Sequence, residues 1–117
     1  MDHKDLDVWK ESMLLVKMIY KATENFPKCE NFGLTSQIRR AAVSIPSNIA
    51  EGSARNGFKE LYQFVSIAMG SASELETQLL IAQDLNYITS DFKPIEEQLL
   101  KVRKLLTGYK NYIKTKR

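Results

Sequence analysis

Apolar residues recur along most of this chain at alternating intervals of three and four positions, the spacing of one face of an α-helix. Four stretches show this rhythm, at about residues 6–26, 34–54, 58–86 and 92–113. The most regular stripe, in the third stretch, consists of Leu61, Val65, Ala68, Ala72, Leu75, Leu79 and Ala82. Four amphipathic helices with short links predict an all-α fold: an antiparallel up-down four-helix bundle formed by residues 1–117 as a single domain.

The first predicted helix has an unusually wide apolar face, because two stripes lie side by side on it. One stripe consists of Val8, Ser12, Leu15, Ile19, Ala22 and Phe26, and the other of Trp9, Met13, Val16 and Tyr20. Trp9 and Tyr20 are candidates for stacking on nucleic-acid bases, but their helical spacing favours positions in the core. Asp5 is the predicted N-cap of this helix, and Ser90 or Asp91 that of the fourth.

The second predicted helix is the least generic part of the chain. Polar residues form one line along it at steps of three and four: Gln37, Arg40, Ser44, Asn48, Glu51 and Arg55. Pro46 lies inside the helix, where it lacks an amide hydrogen and clashes with the carbonyl of Ala42. We therefore expect a bend between Ala42 and Pro46. The neighbouring small residues would let another helix approach closely.

The third predicted helix carries a second stripe with a polar insert. This stripe consists of Phe64, Ile67, Ser71, Glu74, Gln78, Ile81 and Leu85. The insert of Ser71, Glu74 and Gln78 is the natural counterpart of the polar line on the second helix, and together they predict a structural polar network. We expect Glu74 to form an ion pair with Arg39 or Arg40, since an unpaired buried charge is costly.

Bulk composition bounds the class of protein. The chain has 117 residues, 44% of them hydrophobic and 26% charged, with 5 Gly and 3 Pro, as expected for a soluble helical domain. The single Cys29 excludes an internal disulfide and fits a reducing compartment. No apolar run approaches a membrane span, and the polar N-terminus does not resemble a signal peptide. We therefore expect a cytoplasmic protein without membrane association.

Charge is distributed unevenly along the chain. Residues 60–98 contain seven Asp or Glu and one Lys, whereas residues 99–117 contain seven Lys or Arg and no acidic residue. Such a basic segment is suited to a phosphate backbone or an acidic surface. It is equally suited to pairing with the acidic segment of the same chain or of a neighbour, and the sequence leaves both interpretations open.

The residue inventory argues against an enzyme. His3 is the one histidine and lies near the chain terminus, so a buried Ser–His or Cys–His pair and a His-rich metal site are excluded. No Glu-x-x-His pair, phosphate-binding glycine loop, or arginine followed by histidine of the HEPN ribonuclease type occurs. Glu51 and Glu74 could form a pair of catalytic carboxylates, but the arginines beside them favour structural ion pairs. We expect no catalytic residue, no metal and no cofactor.

Three motifs stand out along the chain: residues 32–52 read FGLTSQIRRAAVSIPSNIAEG, residues 5–9 read DLDVW and residues 67–76 read IAMGSASELE. Together they resemble the motifs of one bacterial family, the 23S ribosomal RNA intervening-sequence proteins. The order of Arg-Arg, Pro, Asn and Glu-Gly is specific, because no generic bundle requires it. The resemblance covers about residues 5–112.

The resemblance implies a four-helix bundle that assembles as a ring, typically a homopentamer. Some members of the family are encoded within 23S ribosomal RNA genes. The related accessory proteins of diversity-generating retroelements bind a reverse transcriptase and nucleic acid. Arg39, Arg40 and Arg55 match the family motif, whereas the basic residues of the fourth helix rest on charge alone. The candidate nucleic-acid-binding residues are Arg39, Arg40, Arg55, Lys101, Arg103, Lys104 and Lys110.

Two functional hypotheses follow from these residues. In the first, the protein is a non-enzymatic scaffold that binds structured RNA through basic surfaces. In the second, it is an oligomeric protein-binding adaptor, for example for a reverse transcriptase, that binds no nucleic acid itself. Under either, replacing Arg40 is expected to disturb folding or assembly by leaving Glu51 or Glu74 unpaired.

Overall fold

The computed structural model describes residues 2–88 and 92–116, and these ranges contain helices but no strand. Four α-helices follow one another along the chain: α1 (Asp7–Ala22), α2 (Leu34–Ser53), α3 (Phe58–Asp84) and α4 (Phe92–Lys114). Short 3-10 helices at His3–Asp5 and Lys28–Glu30 precede α1 and α2. In the described ranges, no helix has both the length and the apolar character needed to span a bilayer.

One apolar core joins the four helices. All seven residues of the regular α3 stripe are buried in it, together with side chains from the other three helices. The largest fully buried apolar side chains are Leu15, Ile19, Ile38, Ile45, Ile49, Leu75, Ile95, Leu106 and Ile113. Burial of a side chain of this size contributes about 1.5–3 kcal/mol, so the 3,4 spacing of apolar residues accounts for the main stabilising contacts of the fold.

The first helix is shorter than the apolar stripe that predicted it. It ends at Ala22, four residues before Phe26, because Thr23 turns the chain. The Thr23 hydroxyl donates to the carbonyl of Ile19 at 2.9 Å, and the amide of Phe26 donates to the carbonyl of Thr23. Thr side chains commonly compete for helix carbonyls in this way. Phe26 still reaches the core, although it lies outside the helix.

The N-cap of α1 in the structure differs from the one predicted. Asp5 belongs to the preceding 3-10 helix and does not cap α1, whose N-cap is Leu6 without a side-chain hydrogen bond. The cap expected for α4, Ser90 or Asp91, lies outside the described residues. Leu34, the first residue of α2, is instead capped by a neighbouring segment: its amide donates to Glu30 Oε1 at 3.1 Å.

Contacts between α2 and α3 pair later residues of α2 with earlier residues of α3. Ser44 meets Ser71 near the middle of both helices, and Gly52, near the end of α2, meets Phe64 and Leu61 near the start of α3. Gly52 lets the two backbones approach closely, because a Cβ atom there would collide with Phe64.

Pro46 lies within α2, which remains helical on both sides of it. Its side chain is buried and contributes to the core-facing side of the helix. Since proline has no amide hydrogen, the carbonyl of Ala42 lacks its usual i+4 donor. The bend expected between Ala42 and Pro46 stays a prediction.

The end of α3 is fixed by a left-handed residue. Asn86 has φ 62°, the amide of Tyr87 donates to Ala82 and that of Asn86 donates to Gln83, which is the hydrogen-bond pattern of a Schellman motif. The turn directs Tyr87 towards the 3-10 helix before α2, where its hydroxyl donates to Glu30 Oε2 at 3.0 Å. Glu30 therefore joins the start of α2 to the end of α3.

Candidate functional site

The seam between α2 and α3 brings together three residues of the predicted polar network. The hydroxyls of Ser44 and Ser71 are 2.8 Å apart, and Asn48 Nδ2 donates to both the Ser44 carbonyl, at 2.8 Å, and the Ser44 hydroxyl, at 2.9 Å. Because the Ser44 hydroxyl accepts from Asn48, its own proton is free to bond Ser71. The cluster cross-links the helices without any charged group.

The other predicted members of the network lie apart from this cluster. Gln37, Arg40 and Glu74 are exposed, and Glu51 pairs with Arg55 through Glu51 Oε2 and Arg55 Nη2 at 3.4 Å. Gln78 is buried, and its Oε1 atom has no hydrogen-bond partner among the described residues. The predicted polar line is therefore a compact Ser-Asn-Ser cluster with separate charged groups around it.

Arg39 and Arg40 leave α2 in different directions, although they are neighbours in sequence. Arg39 turns to α1, where its Nε donates to the Thr23 hydroxyl at 2.8 Å and its guanidinium lies 4.6 Å from the centroid of the Tyr20 ring. The expected ion pair between Arg39 and Glu74 is therefore wrong for the single chain. Tyr20, predicted as core, is 41% exposed and serves as the platform for Arg39.

Arg40 is the exposed arginine of the pair. It has no acidic partner within 4.0 Å in the described part of the chain, and Glu74 has no basic partner there. The expectation that replacing Arg40 would leave Glu51 or Glu74 unpaired therefore fails within one subunit, since Glu51 is already bonded to Arg55.

Arg55, just after α2, is held by two carboxylates and a ring. Its guanidinium lies 3.4 Å from Glu51, 3.9 Å from Glu60 and 5.0 Å from the centroid of the Phe64 ring. Two negative charges offset its own positive charge. The contacts of Arg55 therefore favour a structural role over binding to a nucleic-acid phosphate.

The basic residues of α4 divide into paired and unpaired cations. Lys101 lies 3.3 Å from Glu11 of α1, and Arg103 Nη1 lies 3.0 Å from Glu76 of α3. The hydrogen bond from Gln98, followed by the contact with Lys101, lowers the pKa of the Glu11 carboxyl. The pairing of the basic segment with acidic residues of its own chain is thus realised for two side chains.

Three other basic residues, in the C-terminal half of α4, take part in neither of these ion pairs. Lys110 lies over the ring of Tyr62, with Nζ 5.2 Å from its centroid. Lys104 and Lys114 are exposed and have no acidic partner in residues 2–88 and 92–116. The candidate nucleic-acid surface of α4 therefore narrows to its C-terminal half.

A line of apolar side chains lies exposed on α3. Ile67, Ile81 and Leu85 share one face of the helix at steps of fourteen and four, and each is about half exposed. Glu74 lies on the same line, while Arg40 and Val43 are exposed on the adjoining helix α2. The exposed members of the second predicted stripe therefore form an outer surface on which Glu74 lies among apolar residues, whereas Ser71 of the same stripe contacts α2 and Gln78 is buried.

Sequence reasoning missed a cavity at the end of the molecule where α2 ends, α3 begins and α4 ends. The cavity has a volume of about 480 Å³ and is lined by Leu6, Gly52, Ser53, Arg55, Gly57, Phe58, Leu61, Tyr109 and Tyr112. Burial raises the pKa of the Tyr109 phenol. The alternation of aromatic and basic residues from Tyr109 to Lys116 was the available signal.

The described residues contain no group of three His, Cys, Asp or Glu side chains placed to hold a metal ion. The polar groups that do cluster are hydroxyls, an amide and ion pairs, and these join α2 to α3, α1 to α4 and α3 to α4.

Comparisons with known proteins agree with the helical architecture. Residues 4–108 match the family model described as 23S rRNA-intervening sequence protein. A comparison with curated proteins gave no match. Among solved structures, the chain is similar to a Bacteroides thetaiotaomicron VPI-5482 protein with unknown function from the S23 ribosomal protein family, with a TM-score of 0.77, 26% identity, and coverage of 87% of this chain and 96% of that one.

Proposed function

The chain belongs to the 23S rRNA-intervening sequence protein family, and from this premise we propose that it is a non-enzymatic, ring-forming scaffold that binds structured RNA. Its four helices form an antiparallel bundle, bent in α2 at Pro46, that acts in the cytoplasm. The observation that carries RNA binding is that Lys104 and Lys114 of α4 have no acidic partner among the described residues, while Lys110 of the same helix lies over an aromatic ring.

Electrostatic attraction to phosphates supplies the affinity of such a surface. Because each neutralised phosphate releases counterions, binding weakens steeply as salt rises. Lys104 and Lys110 contribute more to this attraction than Lys101 and Arg103, whose charges are offset by Glu11 and Glu76. The motif arginines contribute through Arg40, the exposed member of the Arg39–Arg40 pair.

A mobility-shift assay with a hairpin RNA at about 50 and about 200 mM salt tests this proposal. We expect affinity to fall between the two salt concentrations. Lys104→Ala combined with Lys110→Ala should weaken binding and flatten the salt dependence, whereas Lys101→Ala combined with Arg103→Ala should do so less. Equal affinity at both salt concentrations, or no shift at all, would overturn RNA binding.

Assembly into a ring, with a homopentamer as the expected size, rests on the outer face of α3. Half-exposed Ile67, Ile81 and Leu85 are unfavourable in water and become buried when a second copy covers them. Arg40 and Glu74 lie at this face, and neither forms an ion pair within residues 2–88 and 92–116. In the ring, Arg40 of one copy pairs with Glu74 of the next.

Charge reversal separates this pairing from a general effect on solubility. Arg40→Glu should lower the mass measured by light scattering, and the double variant Arg40→Glu/Glu74→Arg should restore it. Lys17→Glu is the matched control and should keep the mass of the wild type, because Lys17 is exposed on α1 and has no acidic partner within the part of the chain that the structure describes. An Arg40→Glu variant of unchanged mass contradicts the intersubunit pair.

A protein-binding adaptor, with a partner such as a reverse transcriptase, is the second candidate. The ion pairs Lys101–Glu11 and Arg103–Glu76 favour it, because they use basic residues within the chain. Purification from a nuclease-treated lysate distinguishes the two functions: a partner that persists without RNA supports the adaptor, and one lost with RNA supports the scaffold.

A further inference from the structure

We infer that the cavity at the end of the bundle binds an unstacked nucleobase of single-stranded RNA, with Phe58 and Tyr112 against the base and Lys59 and Lys116 on the flanking phosphates. This inference rests on the proposed RNA association and names a second, separate site for it. In the proposed function a hairpin RNA contacts the charged surface of α4, whereas the cavity binds a base from an unpaired segment.

The cavity has the size and lining of a site for a flat aromatic ligand. Its volume of about 480 Å³ falls within the range of small-molecule sites. Leu61 contributes an apolar wall, while Tyr109 lies partly buried beside it. Phe58 and Tyr112 are 43% and 54% exposed at the opening, so both rings are accessible to a ligand.

Exposed aromatic rings favour a nucleobase because every base offers a π-face for stacking. Phe58 and Tyr112 keep much of their apolar surface in water in the free protein. A base inserted between them removes that surface from water and adds ring–ring contact. Among the described residues neither ring stacks on another aromatic side chain, although the Lys116 ammonium lies 5.4 Å from the centroid of the Tyr112 ring.

The charges around the opening select an anionic polymer over an apolar peptide. A second depression, lined by Gly57, Phe58, Lys59 and Lys116, continues from the cavity and shares Gly57 and Phe58 with it. Neither lysine has an acidic partner in the described part of the chain. Two carboxylates, Glu51 and Glu60, are directed to Arg55, which lines the cavity.

The spacing of the groups fits a strand that passes over the end of the molecule. Lys59 follows Phe58 directly in α3, and Lys116 lies four residues after Tyr112, in the turn that follows α4. Each aromatic ring is thus accompanied by one cation. A base in the cavity places the phosphates on either side of it near these two ammonium groups, which attract them without reading sequence.

Fluorescence anisotropy with a labelled oligoadenylate tests the inference on the full chain. The wild type should bind it, and Phe58→Leu or Tyr112→Leu should weaken binding about tenfold, since stacking on an aromatic ring is lost. Leucine keeps an apolar side chain, so thermal melting should remain that of the wild type. A cavity suited to an apolar peptide would tolerate either leucine substitution. Its affinity for the oligoadenylate would then be no higher than that of the rest of the protein surface.

Two controls isolate the cavity from the rest of the surface. Phe32→Leu removes a fully exposed aromatic ring elsewhere in the chain and should bind as the wild type does. Lys59→Ala with Lys116→Ala should reduce the dependence of binding on salt, whereas Lys28→Ala, an exposed lysine elsewhere, should leave it nearly unchanged.

The outcomes separate this inference from the proposed function. Hairpin binding with unaltered oligoadenylate affinity in the Phe58 and Tyr112 variants overturns the cavity site and leaves the scaffold function standing. Hairpin binding without any oligoadenylate binding has the same meaning. A wild-type protein that binds neither RNA overturns both.

Discussion

Gly52 lies so close to Phe64 that a Cβ atom added at residue 52 would stand 2.8 Å from the Phe64 Cβ and 3.0 Å from Leu61 Cδ1. The contact joins the end of the motif stretch on α2 to the first turns of α3. This contact explains why glycine, which has poor helix propensity, occupies a helical position there: the backbone of α2 packs directly against side chains of α3.

Gly52→Ala is therefore expected to destabilise the protein by about 1–3 kcal/mol, the usual range for overpacking. Gly70→Ala is the matched control, because nothing lies within 4 Å of the position its Cβ would take. That substitution should stabilise the protein by about 0.5–1 kcal/mol through helix propensity. Urea unfolding monitored by circular dichroism measures both, and equal effects of the two substitutions would contradict the close approach.

The Ser44–Ser71 hydrogen bond predicts a graded series at the seam. Ser71→Ala should cost about 1 kcal/mol, and Ser44→Ala should cost more because Asn48 also loses its bond to the Ser44 hydroxyl. Ser73→Ala, at an exposed position of α3, should instead be neutral or slightly stabilising. A double-mutant cycle on Ser44 and Ser71 gives the coupling energy; strictly additive effects would show that the two hydroxyls do not interact.

Glu30 caps α2 and accepts from Tyr87, so its removal is expected to loosen both connections. Glu30→Ala should destabilise by about 1 kcal/mol, as loss of a helix cap does. Glu24→Ala, an exposed acidic residue in the preceding segment, serves as the control and should have little effect. Hydrogen exchange at the Leu34 amide supplies a local measurement: unchanged protection in Glu30→Ala would rule out the cap.

Stability is expected to fall at alkaline pH, because two phenols are more acidic in the unfolded chain than in the folded one. The hydrogen bond to Glu30, with burial and the Glu30 charge, raises the pKa of Tyr87 above its ordinary value of 10.0, and burial raises that of Tyr109. With folded pKa values above the unfolded ones, this stabilisation is complete below pH 10.0 and is lost as pH rises through the folded pKa.

Urea unfolding at about pH 9 and about pH 11 measures the loss. Tyr87→Phe and Tyr109→Phe should each make the difference between the two pH values smaller, since neither phenylalanine titrates. A difference as large in the double variant as in the wild type would assign the alkaline loss to other groups.

The helices and the core follow from apolar spacing, because burial of a stripe depends on local periodicity alone. The regular α3 stripe, from Leu61 to Ala82, is buried throughout. Periodicity fails at Phe26, which is buried although the helix has already ended, since a local hydroxyl bond at Thr23 decides the end. It also fails at Tyr20, where a partner on another helix, Arg39, decides exposure.

The partners of the charged residues depend on contacts between distant segments. Lys101 meets Glu11 across ninety positions of sequence, and Arg103 meets Glu76 across twenty-seven. Either cation had several acidic residues within plausible reach. The choice among them requires the relative rotation and height of whole helices, which spacing within one helix does not specify. The cavity likewise depends on how three helix ends meet, and the alternation of aromatic and basic residues from Tyr109 to Lys116 indicates only its α4 side.

The connection from α2 to α3 has a kinetic consequence. Residues 54–57 join two helices that meet at Gly52 and again at Ser44 and Ser71, so their contacts form at a small cost in loop-closure entropy. We expect this helical hairpin to organise the folding transition state and the chain to fold rapidly, as proteins with local contacts do. Substitutions at Gly52 should then slow folding more than they accelerate unfolding, so that the motif stretch sets how fast the chain reaches its native state as well as how stable that state is.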